Sequence, residues 1–238
     1  FALHTLGLYA RGLEDQAFPV LNFFEVLQVI AWCAILLDLV IRTVFHLKFL
    51  DVFASALAGV LGLFALSVTA WDVVPIVHEP VRNPWTEFHA ALAIFSYAVF
   101  GILALVSLMY VLQHLALKRH KAGGFFSRLP AIRQLEEISS RLLLMGVTLL
   151  TVSIAIGYLN YFESGSEVGL LKLIIATLVW LAYIAVFTLR QRNMLIAAPF
   201  AWSCMLLFLF AILSLHPLTM DDYTGQPEGI DEPVPHHD

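Results

Sequence analysis

The chain has 238 residues, of which 60% are hydrophobic and only 13% charged, and its mean hydropathy is +0.84. A single small globule cannot hide that much apolar surface, so lipid must solvate part of it, and the soluble classes are excluded. The formal net charge of −5 is sorted along the chain, with the acidic excess in one terminal stretch, and leaves no basic surface for nucleic acid.

In chain order, Phe1 to Ala10 (FALHTLGLYA) is apolar but too short to cross a bilayer. It reads as an interfacial piece or as the remnant of one more span upstream of Phe1, and it lacks the basic start and small-residue cleavage site of a signal peptide. A hydrocarbon core of ~30 Å takes about 20 apolar residues in a helix. Six stretches qualify: Phe18 to Thr43, Phe49 to Ala70, His89 to His114, Arg141 to Tyr161, Val168 to Leu189 and Ile196 to His216. The predicted fold is therefore all-α, a polytopic membrane bundle of about six transmembrane helices. Residues 1–216 form the transmembrane domain, and 217–238 an acidic, Pro/Gly-rich tail expected to be mobile unless a partner orders it. Cys33 and Cys204 both fall inside apolar stretches and read as packing residues.

The longest hydrophilic connection, Leu115 to Ser140, carries Lys118, Arg119, Lys121, Arg128 and Arg133, and the positive-inside rule makes it cytoplasmic. Alternation then puts Arg42, Lys48, Arg141, Arg190 and Arg192 on the same side, ten of the thirteen Lys and Arg residues, and leaves Arg11, Arg82 and Lys172 outside. Leu3 to Phe18, the Trp71 to Phe88 loop, the Glu163 to Glu167 turn and the tail accordingly face out. Trp71, Trp85, Tyr161 and Tyr223 fall at that outer interface, where any membrane protein carries aromatic residues.

Two histidines stand at outer span ends, His89 in WTEFHAALAIFSY and His216 in AILSLHPL. Neutral imidazole is a versatile axial ligand for haem iron, and two of them at one membrane depth can clamp a porphyrin between helices. The plainer alternative is a pair of interfacial histidines satisfied by water or a carbonyl. His4 and His78 also lie outside, so counting alone does not choose the pair; His46, His114 and His120 sit among basic residues near the inner face, and His236 and His237 lie in the tail. Glu25, about two turns into the first span, and Lys172, about one turn into the fifth, need partners or a polar cavity. A mutual ion pair is the simplest account; the functional one has Lys172 meeting a haem propionate and Glu25 orienting a ligand or loop from behind. Asp38 and Arg42 are spaced for a local i, i+4 pair.

The stretch GLEDQAFPVLNFFEVLQVIAW, Gly12 to Trp32, resembles the N-terminal signature of the cytochrome c assembly protein family, the haem-handling membrane proteins of CcsA and HemX type, through Phe18, Pro19, Asn22, Glu25 and Trp32. FHAALAIFSYAVFGILAL is similar to the family helix whose leading histidine is an external haem ligand, with Ser96 and Tyr97 in register. LPAIRQLEEISSRLLLMGVTLLTVSIAIG resembles the segment that follows, and His216 matches the second external ligand. The resemblance runs from about His4 to His216 and implies that residues 1–216 handle haem, with b-type haem between His89 and His216.

Two family features are missing. The Trp-rich external loop of members that attach haem to apocytochrome is replaced by NYFESGSEVGLLK, Asn160 to Lys172, where Lys172 corresponds to the lysine just beyond that loop. The histidine that haem-exporting members carry in the next helix is also absent, Thr188 lying near its place. These departures leave ligase activity, transport from the inner face and catalysis by this chain alone without their motifs, and point to the HemX-like branch. The resemblance thus implies a haem-binding protein assisting cytochrome c or haem-protein assembly in the bacterial inner (plasma) membrane, beside other assembly or respiratory-complex subunits. The alternative is a structural subunit anchoring a larger respiratory complex, with the haem site vestigial. An electron-carrying haem anchor ranks last, because the chain lacks multiple intramembrane histidine pairs.

Overall fold

The computed structural model describes the backbone of residues 1–14, 18–20, 22–45, 50–67, 84–119, 130–164 and 170–224, and their side chains except at 44–45, 161–164, 170–172 and 216–224. Every regular element among these is helical: α1 (Ala2–Glu14), α2 (Phe23–Phe45), α3 (Leu50–Ser67), α4 (Pro84–Lys118), α5 (Ile132–Ser164), α6 (Leu170–Gln191) and α7 (Ala198–Thr224). Six of them, α2 to α7, are long and apolar enough to cross a membrane, as expected for a multi-pass membrane protein.

Lipid as solvent explains α3 best. Only Leu50, Ala54, Leu61 and Ala65 are buried on it, one stripe facing the bundle, whereas Val60, Leu63 and Leu66 point outward and Leu63 is 71% exposed. Water would make that face prohibitive; hydrocarbon does not. α4 has the opposite pattern. It is buried continuously from Ser96 to Ser107 and packs against α2, α3, α5 and α7, as a helix apolar on all sides should. Gly146 on α5 admits the Phe100 ring, which stacks on Tyr183 of α6 with centroids 3.6 Å apart. Three helices meet at that ring.

α4 and α5 hold 35 and 33 residues, about 50 Å each at 1.5 Å per residue, and therefore project beyond a ~30 Å core. The first turns of α5 were expected to belong to the basic loop. They are helical because Leu135, Ile138, Leu142 and Leu143 line one buried face that starts well before Arg141. The start of α2 is set by Asn22, whose Oδ1 accepts the Glu25 N–H at 2.8 Å, a helix N-cap. α6 ends in a Schellman turn in which Asn193 takes a positive φ of 55° and Met194 N–H donates to the Leu189 carbonyl at 3.0 Å.

Phe1 to Ala10 lies on α1, a short helix docked on α2: Phe1 stacks on Trp32 at 5.5 Å, and the Trp32 Nε1–H donates to Thr5 Oγ1 at 2.8 Å. Asp38 and Arg42 form the expected pair at 3.0 Å, joined by Asp51 of α3 at 3.5 Å. Both cysteines are buried and free. At one end of the bundle, His89 sits near the start of α4; at the other, Arg141 sits near the start of α5.

Candidate functional site at the His89 end

Pro84 opens α4 where its missing N–H has no helical partner to lose, and Glu87 follows in the first turn, where a negative charge suits the helix dipole. His89 comes one turn later and turns toward α5. Its Nδ1 lies 2.6 Å from the Ser153 carbonyl oxygen and 3.1 Å from the Ser153 hydroxyl, and that hydroxyl donates to the His89 carbonyl at 2.9 Å. A carbonyl can only accept, so the contact assigns the ring proton to Nδ1 and leaves the lone pair on Nε2.

The ring reaches the α5 backbone because residue 157 is glycine. A Cβ there would stand 2.7 Å from His89 Cε1, 2.9 Å from Nδ1 and 3.3 Å from Nε2. Ser153 and Gly157 form a small-xxx-small pair, the spacing that lets membrane helices approach closely. That spacing was the available sequence signal for this contact, and sequence reasoning missed it. Beyond it, Asn160 Nδ2–H donates to Thr86 Oγ1 at 2.8 Å, and a cleft of about 270 Å³ opens beside Trp85, Ile156, Leu159 and Asn160.

His216 lies on α7, and only its backbone is described. α4 and α7 run antiparallel: the Gly101 position meets the Phe208 ring, Tyr97 faces Ser214, and Ser107 faces Cys204. In that register His216 sits at the same end as His89 but about 8 Å nearer the bundle centre, from a rise of 1.5 Å per residue. With helix axes 8–10 Å apart, the two backbones are staggered rather than level.

Glu25 is 1% exposed, and Arg11 of α1 meets it, Nε to Oε1 at 2.8 Å. The simplest sequence account, a pair with Lys172, falls on a side chain outside the described residues; the Arg11 contact comes from a residue only fourteen positions upstream. It arises because α1 folds back over α2, which Phe1 to Ala10 alone did not reveal. Lys172 is on α6, which packs on α5 and α7, and its side chain lies outside the described residues. So do Trp71, His46, His78, His120, His236 and His237 altogether, and the side chains of Tyr161 and Tyr223. His114 is exposed and stacks on Tyr110.

The docked α1 closes an apolar cavity of about 660 Å³ between α1, the Phe18–Pro19 turn, α2 and α4. Leu8, Tyr9, Leu13, Trp32, Phe88 and Phe95 are among its walls. Phe88, Ala91, Leu92 and Phe95 present one face of α4 to it, whereas the neighbouring face carries His89 to α5. No group of three or more potential metal-ligating side chains occurs among the described residues, so a free metal ion has no ready cage there.

Comparison with known proteins places this arrangement. No solved structure matches the chain. Protein HemX of Brevibacillus brevis is 31% identical over 157 residues, 66% of this chain and 57% of that protein. Protein HemX of Bacillus subtilis is 23% identical over 92% of this chain and 81% of its own length. The cytochrome c biogenesis protein CcsA of Chlamydomonas reinhardtii is 28% identical over 65% of this chain and 44% of its own length. The chain thus spans a little over half of the Brevibacillus relative and less than half of the algal one. The profile described as Cytochrome C assembly protein matches residues 20–220, nearly the whole described bundle, and the chain belongs to that family.

Proposed function

We propose that the protein binds b-type haem near the extracytoplasmic face of a bacterial plasma membrane, between His89 and His216, and thereby assists cytochrome c or haem-protein assembly. The observation that carries this reading is the Nδ1 contact of His89 with the Ser153 carbonyl. Ligating histidines characteristically donate their second ring nitrogen to a carbonyl or carboxylate, which fixes the tautomer and the ring plane and raises the basicity of the ligating nitrogen. His89 has that arrangement, and its Nε2 is the nitrogen left to coordinate.

The donor chemistry fits haem better than a bare ion, because a porphyrin supplies four of the iron ligands and asks the chain for only one or two imidazoles. His216 is assigned to the second axial position; its backbone lies about 8 Å nearer the bundle centre than that of His89, so the shared depth expected of the pair is not met by the backbones, and the assignment rests on the family resemblance of the two span ends. Lys172 is assigned to a propionate. Bound haem would supply a coordinating iron and two anionic handles; the chain orients His89 and holds the Nδ1 proton at Ser153. Glu25 acts from behind the site, through Arg11, by holding α1 against the cavity. The basic connections at the Arg141 end make that end cytoplasmic by the positive-inside rule. Relatives named for cytochrome c biogenesis support the assembly role, and the partners are other assembly or respiratory-complex subunits.

The test is a reduced-minus-oxidised spectrum of the detergent-purified protein made under ample haem supply. A b-type spectrum is expected in the wild type and should be lost or shifted in His89→Ala and in His216→Ala. Wild-type protein free of haem would leave only the scaffold reading.

A further inference from the structure

At the Arg141 end, a cavity of about 550 Å³ opens between the first turns of α5 and the last turns of α6. Arg133, Glu136, Glu137 and Arg141 of α5 and Arg190 of α6 line it, and Leu144 and Phe187 continue from it along the apolar flanks of the two helices. Both carboxylates are already engaged. Glu137 accepts from Arg141 Nη2 at 2.5 Å, and Glu136 faces the Tyr110 hydroxyl of α4.

The positive charge is less well matched. Arg190 is held in place by the Schellman turn, its guanidinium 4.6 Å from the Phe200 ring centroid and its Nη1 3.5 Å from the Leu195 carbonyl oxygen. A ring face and a neutral oxygen orient that cation without neutralising it. Arg133 is exposed and meets no carboxylate among the described residues. Lys118 ends α4, and Arg119 follows it, at the same end of the bundle.

We propose that this cavity seats the headgroup phosphate of an anionic phospholipid between Arg133 and Arg190, with an acyl chain along Leu144 and Phe187. Arginine matches phosphate oxygens with paired N–H donors. The two arginines lie at the ends of membrane-spanning helices, at the depth where a headgroup meets hydrocarbon. A soluble anion would use the arginines alone; a phospholipid also uses the apolar wall, where Leu144 is 51% exposed.

The test is native mass spectrometry of the full chain in mild detergent, titrated with phosphatidylglycerol and with phosphatidylcholine of the same acyl chains. Phosphatidylglycerol is expected to bind more tightly, to survive excess inorganic phosphate, and to weaken about fivefold in each of Arg133→Gln and Arg190→Gln while phosphatidylcholine is unchanged. Equal retention of the two lipids overturns the proposal, as does displacement by inorganic phosphate, which would reassign the cavity to a free anion. Arg190→Gln also removes a packing contact, so Arg133→Gln, at an exposed side chain that meets no carboxylate among the described residues, decides the matter: undiminished phosphatidylglycerol binding there overturns the proposal.

Discussion

Replacing Gly157 with alanine tests the His89 arrangement at one methyl group. The new Cβ would stand 2.7 Å from Cε1 and 2.9 Å from Nδ1, where ordinary contact is 3.4–4 Å, so the ring must retreat by roughly 0.7–1 Å. That retreat stretches the 2.6 Å Nδ1 to Ser153 contact to about 3.4 Å, past the range of a good N–H to O bond. Overpacking of this kind costs about 1–3 kcal/mol of stability, and losing the partner that orients a metal-ligating histidine typically weakens binding by about 10–100-fold. Two measurements separate the effects. Thermal unfolding of haem-free protein in detergent reads the packing, and a haem titration followed by the Soret band reads the ligand. Gly59→Ala serves as the control, because a Cβ there meets nothing within 4 Å. If Gly157→Ala leaves both haem affinity and spectrum as in the wild type, Ser153 does not orient a ligating His89 and the reasoning fails.

Tyr183 is 1% exposed and its hydroxyl has no hydrogen-bond partner among the described residues, so Tyr183→Phe should raise stability by about 1 kcal/mol; a lower melting point would reveal a partner for that oxygen. Asn22→Ala removes the cap of α2 and should lower stability by about 1 kcal/mol, whereas Asn22→Asp should largely preserve it; equal melting of all three proteins would deny the capping role. Burial holds the pKa of His4 below its ordinary 6.5, against an opposing contact with the Gln28 main chain. Because the folded value is the lower one, the unfolded chain binds more protons in that window, and the docking of α1 should weaken as pH falls through about 6.5 toward the folded value. Trp32 fluorescence, corrected with Trp32→Phe, reports that docking; a signal flat with pH, or as steep in His4→Gln, would remove His4 from the account.

Much of the fold was legible because hydrocarbon imposes a length rule that composition obeys. Six apolar stretches of about 20 residues became α2 to α7, with the largest departures at α5 and at α7, which runs on to Thr224. The departure at α5 has a physical cause. The turns from Ile132 to Ser140 contain Arg133, Glu136 and Glu137, so hydropathy reads them as loop, yet Leu135 and Ile138 recur at helical spacing and bury one face against the bundle. α1 was less legible, because thirteen residues are too few to span and the evidence for their docking lies elsewhere, in Trp32, Gln28 and Glu25 of α2.

The site was legible in its ligand chemistry but not in its support. A histidine at a span end states a possible ligand, and His89 could be named from its place before AALAIFSY. What turns that possibility into a directed Nε2 is a main-chain carbonyl of Ser153 and the missing side chain of Gly157. Every residue has a carbonyl, and glycine is common in membrane helices. Only the α4 and α5 crossing makes those two ordinary features specific, since it sets a distance between residues 64 positions apart. The same reasoning applies to Glu25. A buried carboxylate in a span demands a cation, and whether Arg11 can supply one depends on whether α1 folds back over α2. Once it does, Arg11 reaches Glu25 at 2.8 Å, and the pair ties the apolar cavity wall to the helix that begins at Asn22.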